Sequence, residues 1–392
     1  MNQSNILSIK LKFLYVFEFA AMACFYPFLT YYFQNKGFSY TQIGIAMAVY
    51  SITGVITQPI WGVITDKHFN KRTSILITMF FSSLIIYLFI FVNGFYAILM
   101  SMIILLVFQS SINPLSDAYS YEIIEHNKDI QYGKVRLMGS FGYAVAALTI
   151  AQAVKYTSIN SSFILFSITM FLGAIIVWSI DFKSKSHHSK VDISDIKNLM
   201  KDNRFSIFII SVIIVNISFG INGSYITVLI QKTGGDVSKL GILWFVLAIS
   251  ELPTLFLGNK LLNKFGELNL LMIGLVFYVL RYFLDSLSTS YTSVIMIQGM
   301  QSVTYPLFLI SSYQYMNKIT PARMKSSVMT FFAAACGIGN FIGNIGGGIL
   351  LEHISIFLLF RIIAFICVVC VIIVAILKRI NVPIKEKVYS NI

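Results

Sequence analysis

Gly62-Val63-Ile64-Thr65-Asp66-Lys67-His68-Phe69-Asn70-Lys71-Arg72 joins two long apolar runs, 41–63 and 73–92. One acid stands among three bases, with a glycine at the junction. Glycine lets segment ends approach closely. An acid beside bases can form a charge-assisted latch at those ends. Gly62, Asp66, Lys67 and Arg72 are therefore expected to form such a latch, a conformational gate where the two runs meet. The plainer alternative is an ordinary basic loop.

The apolar runs on either side are not isolated. Of 392 residues, 57% are hydrophobic and only 11% are charged, and the mean hydropathy is +0.79. A soluble domain carries about 25% charged residues. Less than half that charge cannot cover a globule of this size, which excludes a soluble enzyme, a disordered chain and a secreted disulfide scaffold. A membrane span needs about 20 mostly apolar residues. Twelve runs qualify: about 13–33, 41–63, 73–92, 96–124, 136–154, 162–180, 206–230, 239–258, 269–285, 292–316, 326–350 and 354–377. The first resembles a signal peptide but is too long and lacks a small-residue cleavage site, so it is expected to be retained as the first span. The cysteines Cys24, Cys336, Cys367 and Cys370 all fall inside apolar runs and read as reduced, buried small residues.

Charge sets the orientation. With the N-terminus in the cytoplasm, 22 of the 29 Lys and Arg residues fall in cytoplasmic segments. Only Lys36, Lys155, Lys232 and Lys239 fall outside. This bias predicts a multi-pass protein of the plasma (inner) membrane with both termini cytoplasmic. It also explains the net charge of +13 without nucleic acid. Arg136, Arg281 and Arg361 lie within or at the ends of spans and need another explanation.

The chain reads as two halves. The longest polar stretch, 181–205, falls between the sixth and seventh runs. It predicts a bundle over 1–180, a cytoplasmic linker over 181–205, and a second bundle over 206–392 with a short cytoplasmic tail. His187 and His188 in the linker read as a solvated pair. Gln109-Ser-x-x-x-Pro114-Leu115 in the fourth run returns as Gln301-Ser-x-x-x-Pro306-Leu307 in the tenth. Pro59 returns as Pro253, and Gly62 as Gly258. A parallel six-span repeat is one known build of secondary transporters, with the substrate site at mid-membrane between the halves.

The stretch from Gly62 to Arg72 resembles the signature loop of the major facilitator superfamily. Phe69 stands where that family has Gly, and the second copy, Gly258 to Gly266, has Asn263 in place of the acid. Within the superfamily the chain is similar to lactose permease and the related sugar, nucleoside and phenylpropionate permeases. The similarity is carried by Tyr26-Pro27-Phe28, Gln58-Pro59-Ile-Trp61-Gly62, Pro114-Leu-Ser-Asp117, Arg136-Leu-Met-Gly139-Ser-Phe-Gly142-Tyr143, and Glu251-Leu-Pro253 with Arg281. The resemblance implies an all-α membrane fold of twelve spans in two pseudo-symmetric six-helix bundles.

An ionisable side chain at mid-bilayer costs roughly 2.5–3.5 kcal/mol on insertion scales and usually faces a cavity or a partner. Glu18, Asp117, Arg136, Glu251 and Arg281 are such residues. The resemblance implies that Asp117 and Arg136 bind substrate; a structural ion pair between the fourth and fifth spans is the alternative. Tyr143 lies two turns after Arg136 on the same face. It takes the place of the tryptophan that stacks on sugar in that family, and a packing role is the alternative. The resemblance assigns Glu251 and Arg281 to proton coupling. The family's titrating pair in the tenth span is replaced here by Gln301 and Thr304, so the relay cannot be carried over whole. Glu251 and Glu18 remain as the acids that could carry a proton. Glu251 precedes Pro253, which frees a backbone carbonyl one turn upstream, and Arg281 is its expected partner. Gly339, Gly343 and Gly347 recur at four-residue spacing as a helix-packing groove, with Asn340 and Asn344 beside them.

These readings predict a secondary active transporter that works by alternating access. Its substrate would be a small polar organic solute, such as a sugar, nucleoside or aromatic acid, moved by proton symport. The alternative is proton-coupled efflux of a drug or metabolite, which an acid in the first span would suit. No nucleotide-binding loop is present, and the five histidines are scattered, so neither an ATP-driven pump nor a membrane enzyme is expected. No cofactor or metal is expected beyond the proton gradient. The expected partners are substrate, protons and lipid around a monomer.

Overall fold

The computed structural model describes residues 3–182, 202–320 and 325–380. Most of the expected linker, with His187 and His188, lies outside the described residues. Among the described residues twelve helices are long and apolar enough to cross a membrane, labelled α1 to α12 in chain order. α1 comprises Gln3–Phe25, a 3-10 turn Tyr26–Phe28, and Leu29–Asn35. α2 is Tyr40–Lys67; α3 is Lys71–Phe91; α4 comprises Phe95–Gln109 and Ile112–His126. α5 is Tyr132–Tyr156, α6 Asn160–Ser179, α7 Asn203–Lys232, α8 Val237–Phe265 and α9 Glu267–Asp285. α10 comprises Tyr291–Gln298, a 3-10 turn Gly299–Val303, and Tyr305–Ile319. α11 is Lys325–His353 and α12 is Ile356–Ile380.

Local chemistry sets the starts. Ser39 and Gln42 close a reciprocal capping box at α2. Asn70, Asp202, Asp236 and Ser290 accept from the first-turn amides of α3, α7, α8 and α10. A single residue, Gly266, turns α8 into α9 at φ +73°, which a side chain would resist.

The prolines of the spans fall into two groups. Pro27, Pro114 and Pro306 stand at the breaks of α1, α4 and α10. Pro59 and Pro253 instead lie inside unbroken helices. The carbonyl that Pro253 frees beside Glu251 therefore does not open α8. One missing rung is tolerated where the rest of a long helix holds the backbone.

The two six-helix bundles repeat one packing scheme. α1 packs on α5 and α6, as α7 packs on α11 and α12. Across the halves, α2 packs on α11 and α8 packs on α5, a two-fold-related pair of contacts. The breaks are also equivalent: Ser110 bonds Thr57 at 2.5 Å in the first half, and Ser302 bonds Thr254 at 3.2 Å in the second. In α11, a Cβ at Gly339 or Gly343 would meet the carbonyls of Ile213 or Ile217, and one at Gly347 would meet Ile221 and Tyr225. The glycine groove thus receives α7.

Among the described residues, the hydrogen bonds and ion pair between the halves lie on one side. Odd-numbered spans run away from the side where the chain starts, here the terminal side, and even-numbered spans return to it. On the far side, Asn344 Nδ2 donates to Met47 O at 2.9 Å and Ser51 Oγ at 3.1 Å. Tyr225 Oη donates to Asn344 O at 3.0 Å and Tyr40 O at 3.3 Å, and Thr30 donates to Ser224 O at 2.6 Å. Lys155 pairs with Asp236 at 3.0 Å. The Ser238 hydroxyl, with Lys155, holds the Asp236 carboxyl below the ordinary Asp range. The latch is therefore formed at neutral pH and lost as pH falls through that lowered value. Among the described residues, no hydrogen bond or ion pair joins the halves on the terminal side. There Leu255, Phe256 and Leu257 of α8 are exposed in succession. Successive helical residues point about 100° apart, so α8 is uncovered over much of its circumference. The bundles are shut on the far side and parted on the terminal side.

Candidate functional site between the two halves

In the first half, Asp117 and Arg136 each have partners other than one another. Asp117 Oδ1 accepts from Tyr15 Oη at 2.5 Å and Tyr132 Oη at 2.8 Å. Arg136, one turn after Tyr132, lies over the Phe19 ring at 4.1 Å and the Tyr15 ring at 5.7 Å. It makes no hydrogen bond or ion pair with a described residue. The alternative reading of Asp117 and Arg136 as a structural ion pair is thus not met in the structure. Two phenols satisfy the carboxylate, while Gly139 leaves room for Phe19 to lie against α5; a Cβ there would stand 3.0 Å from its ring. The guanidinium gains a cation–π contact, and no described residue takes its donors. Glu18 is buried, and its Oε1 accepts from Asn113 Nδ2 at 2.8 Å. Asn113 opens the second piece of α4, so the Pro114 break brings it to that acid.

In the second half, Arg281 was expected to meet Glu251 directly. A glutamine separates them. Arg281 Nη1 donates to Gln301 Oε1, and Gln301 Nε2 donates to Glu251 Oε1 at 2.8 Å. Arg281 Nη2 donates to Gln298 Oε1, whose Nε2 reaches both oxygens of Asp285 at 3.1 and 3.2 Å. Thr304 also accepts from Nη1, at 3.3 Å. The cause is the break in α10. In a 3-10 turn, residues three apart eclipse one another, so Gln298, Gln301 and Thr304 present their side chains to Arg281 together. Pro306 favours that break by removing a backbone donor. The three-residue spacing of Gln298, Gln301 and Thr304 ahead of Pro306 is visible in the sequence, but a neutral amide carries no charge to mark it as a partner of Arg281.

Where the halves part, aromatic rings from both sides converge. Tyr26 lies 5.1 Å from Tyr50 and 5.9 Å from Trp244, and Tyr143 lies 6.4 Å from Trp244. Trp244 is two turns before Glu251 on α8, as Arg136 is two turns before Tyr143 on α5, so each pair shares a face. Arg136 is within electrostatic reach of Glu251 across the divide. The expected residues Arg136, Tyr143 and Glu251 are thus brought together, with Trp244 an unforeseen member. Glu18 and Asp117 stay within the first bundle.

The expected gate also differs. α2 continues to Lys67, so Gly62 lies inside the helix, and a Cβ there would meet nothing within 4 Å. It is not a close-approach glycine. Asp66 and Lys67 form no ion pair with a described residue. Lys71 pairs with Glu122 at 2.8 Å. Arg72 donates to Val177 O at 3.3 Å and to Trp178 O, covering the last carbonyls of α6. These bonds tie the loop to its own bundle. Among the described residues, no hydrogen bond or ion pair carries Asp66 to the other half. We expect Asp66→Asn to lower turnover about three- to tenfold, as for loss of about 1 kcal/mol, with affinity unchanged. Normal turnover with weakened binding in vesicle uptake would contradict this.

The MFS_1 like family model matches residues 8–362. An uncharacterized transporter, YwbF of Bacillus subtilis (strain 168), is 28% identical over 365 residues, covering 90% of each chain. The maltose permease of Geobacillus stearothermophilus is 24% identical over 341 residues, 86% of each chain. The crystal structure of the nucleoside transporter NupG superposes with a TM-score of 0.85 at 16% identity, covering 97% of this chain and 100% of that one.

Proposed function

Because this chain belongs to the MFS_1 like family, and so is a transporter and not an enzyme, we propose that it moves a sugar or nucleoside by proton-coupled symport. The observation that carries the reading is the convergence of Arg136, Tyr143, Trp244 and Glu251 where the two bundles part. Guanidinium donors of Arg136 that no described residue takes face a carboxylate across an aromatic floor. Hydroxyls of a sugar or ribose suit the guanidinium. The rings suit the apolar face of a sugar or a nucleobase. The names of the relatives, a maltose permease and a nucleoside transporter, support the same solute class.

The excess of Lys and Arg puts the terminal side in the cytoplasm. On that reading both termini are cytoplasmic, the membrane is the plasma membrane, and the conformation is inward-open. Residues 1–180 and 206–392 act as the two rocking bodies, joined by 181–205. The working unit is a monomer in lipid, and no cofactor besides the proton gradient is required. Glu251 carries the proton, with Arg281 holding its charge through Gln301. One observation favours efflux as a second reading: Glu18 is a buried acid in α1 with Oε2 unpartnered among the described residues.

The test is purified protein in vesicles with a panel of labelled sugars, nucleosides and aromatic acids. We expect saturable uptake that accumulates a sugar or nucleoside when the outside is acidified. Accumulation driven only by the opposite gradient would favour antiport, and non-saturable flux would sink the carrier reading.

A further inference from the structure

Arg281 stands between two carboxylates and touches neither. Gln301 carries its contact to Glu251 and Gln298 carries it to Asp285. Chemistry dictates the amide orientations. A guanidinium only donates, so each glutamine turns its oxygen to Arg281; a carboxylate accepts, so each turns its nitrogen outward. The arrangement is a chain of five side chains with one cation at its centre and an acid at each end.

The surroundings of each end are defined. Asp285 is fully buried at the far-side end of α9. The ionisable groups acting with it are Arg281 and Tyr282, both on its own helix; α10 brings the neutral Gln298, and Cys367 of α12 lies near Tyr282. Glu251 faces Gln301 and Tyr305 of α10, Arg281 of α9, and Arg136 and Tyr143 of α5. With both acids ionised the chain of five carries a net negative charge, which burial penalises. One proton removes that charge, and either acid can hold it.

We propose that Asp285 and Glu251 form a coupled pair that shares the Arg281 charge through Gln298 and Gln301 and holds a single proton between them. The pair reaches from the closed far side to the place where the halves part. A change at one end therefore alters how much of the Arg281 charge the other end receives. Asp285 is a positioning acid in this scheme; it sets the proton affinity of Glu251 without touching substrate. The proposal rests on the symport reading only for the use made of the proton.

The test needs no substrate. Infrared pH titration of the full chain in lipid vesicles reads the carbonyl stretch of protonated carboxyls. The Glu251 band is identified by its loss in Glu251→Gln. We expect Asp285→Asn to move the midpoint of that band to lower pH by about one unit, the size that marks interacting sites, because Arg281 then serves Glu251 alone. Gln298→Met leaves both acids and the arginine in place and should move the Glu251 midpoint in the same direction. A Glu251 midpoint unmoved in folded Gln298→Met and Asp285→Asn proteins overturns the proposal; should Asp285→Asn fail to fold, Gln298→Met alone decides. Coupled midpoints without gradient-driven uptake would support the pair and overturn symport. Gradient-driven uptake with unmoved midpoints would overturn the pair alone.

Discussion

Glu251→Gln should exchange labelled solute across vesicle membranes at near wild-type rate yet fail to accumulate it against a gradient. A glutamine keeps the shape of the glutamate and can still accept from Gln301 Nε2, now at 2.8 Å from Glu251 Oε1. It cannot take up or release a proton. Exchange requires only that the loaded carrier alternate between states, whereas accumulation requires that alternation depend on proton occupancy. The expected accumulation ratio is therefore about one, the equilibrium value for an uncoupled carrier. Counterflow and gradient-driven uptake on the same preparation separate the two. Accumulation at the wild-type level would remove Glu251 as the coupling acid and move that role to Glu18. Loss of both activities in a well-folded protein would make Glu251 a substrate-binding group first.

Gly241→Leu and Gly44→Leu should hold the far side open. A Cβ at Gly241 would meet Ala147 O and Ala151 of α5, and a Cβ at Gly44 would meet Asn344 O and Tyr225 Oη. Both contacts cross the divide and exist only while the far side is shut. Overpacking a tight contact costs about 1–3 kcal/mol. The same clash costs nothing once the bundles part there. A differential of that size shifts a two-state equilibrium about 5–150-fold. Thiol labelling of cysteines placed on the far-side faces of α2 and α8 should therefore rise in both variants, and turnover should fall. Unchanged labelling in folded protein would show that the halves do not separate at these glycines. Gly343→Leu is the matched control. Its clash, with Ile217 O of the same bundle, should destabilise the bundle without favouring either side.

Much of this was legible in the residues themselves. The twelve spans were readable because a hydrocarbon layer accepts about 20 apolar residues per crossing. Helix ends shifted by several residues, most in α1, which starts at Gln3; capping and surface packing can extend a helix beyond its apolar centre. The echo of Gln109 to Leu115 in Gln301 to Leu307 was legible as well, and it marks equivalent breaks in α4 and α10. The glycine groove of α11 was read correctly as a packing surface, although the sequence could not name α7 as the helix it receives. The site was only half legible. Arg136, Tyr143 and Glu251 stood out as charged or aromatic residues in the right spans, but Trp244, Gln298 and Asn113 did not.

What the sequence by itself determined is the membrane-spanning architecture and its repeat, because both follow from local hydropathy and spacing along one chain. Which groups touch was decided by the tertiary structure. Asp117 faces Arg136 in any pairing of opposite charges, yet it takes Tyr15, 102 residues away, and Tyr132 on the neighbouring helix. Glu251 and Arg281 attract each other in principle, yet a 3-10 turn in α10 places Gln301 between them. Asn344 binds Met47 across 297 residues and holds the far side shut. Charge fixes only the sign of an interaction. Distance and donor direction fix the partner, and within a bundle those are set by how the helix backbones pack.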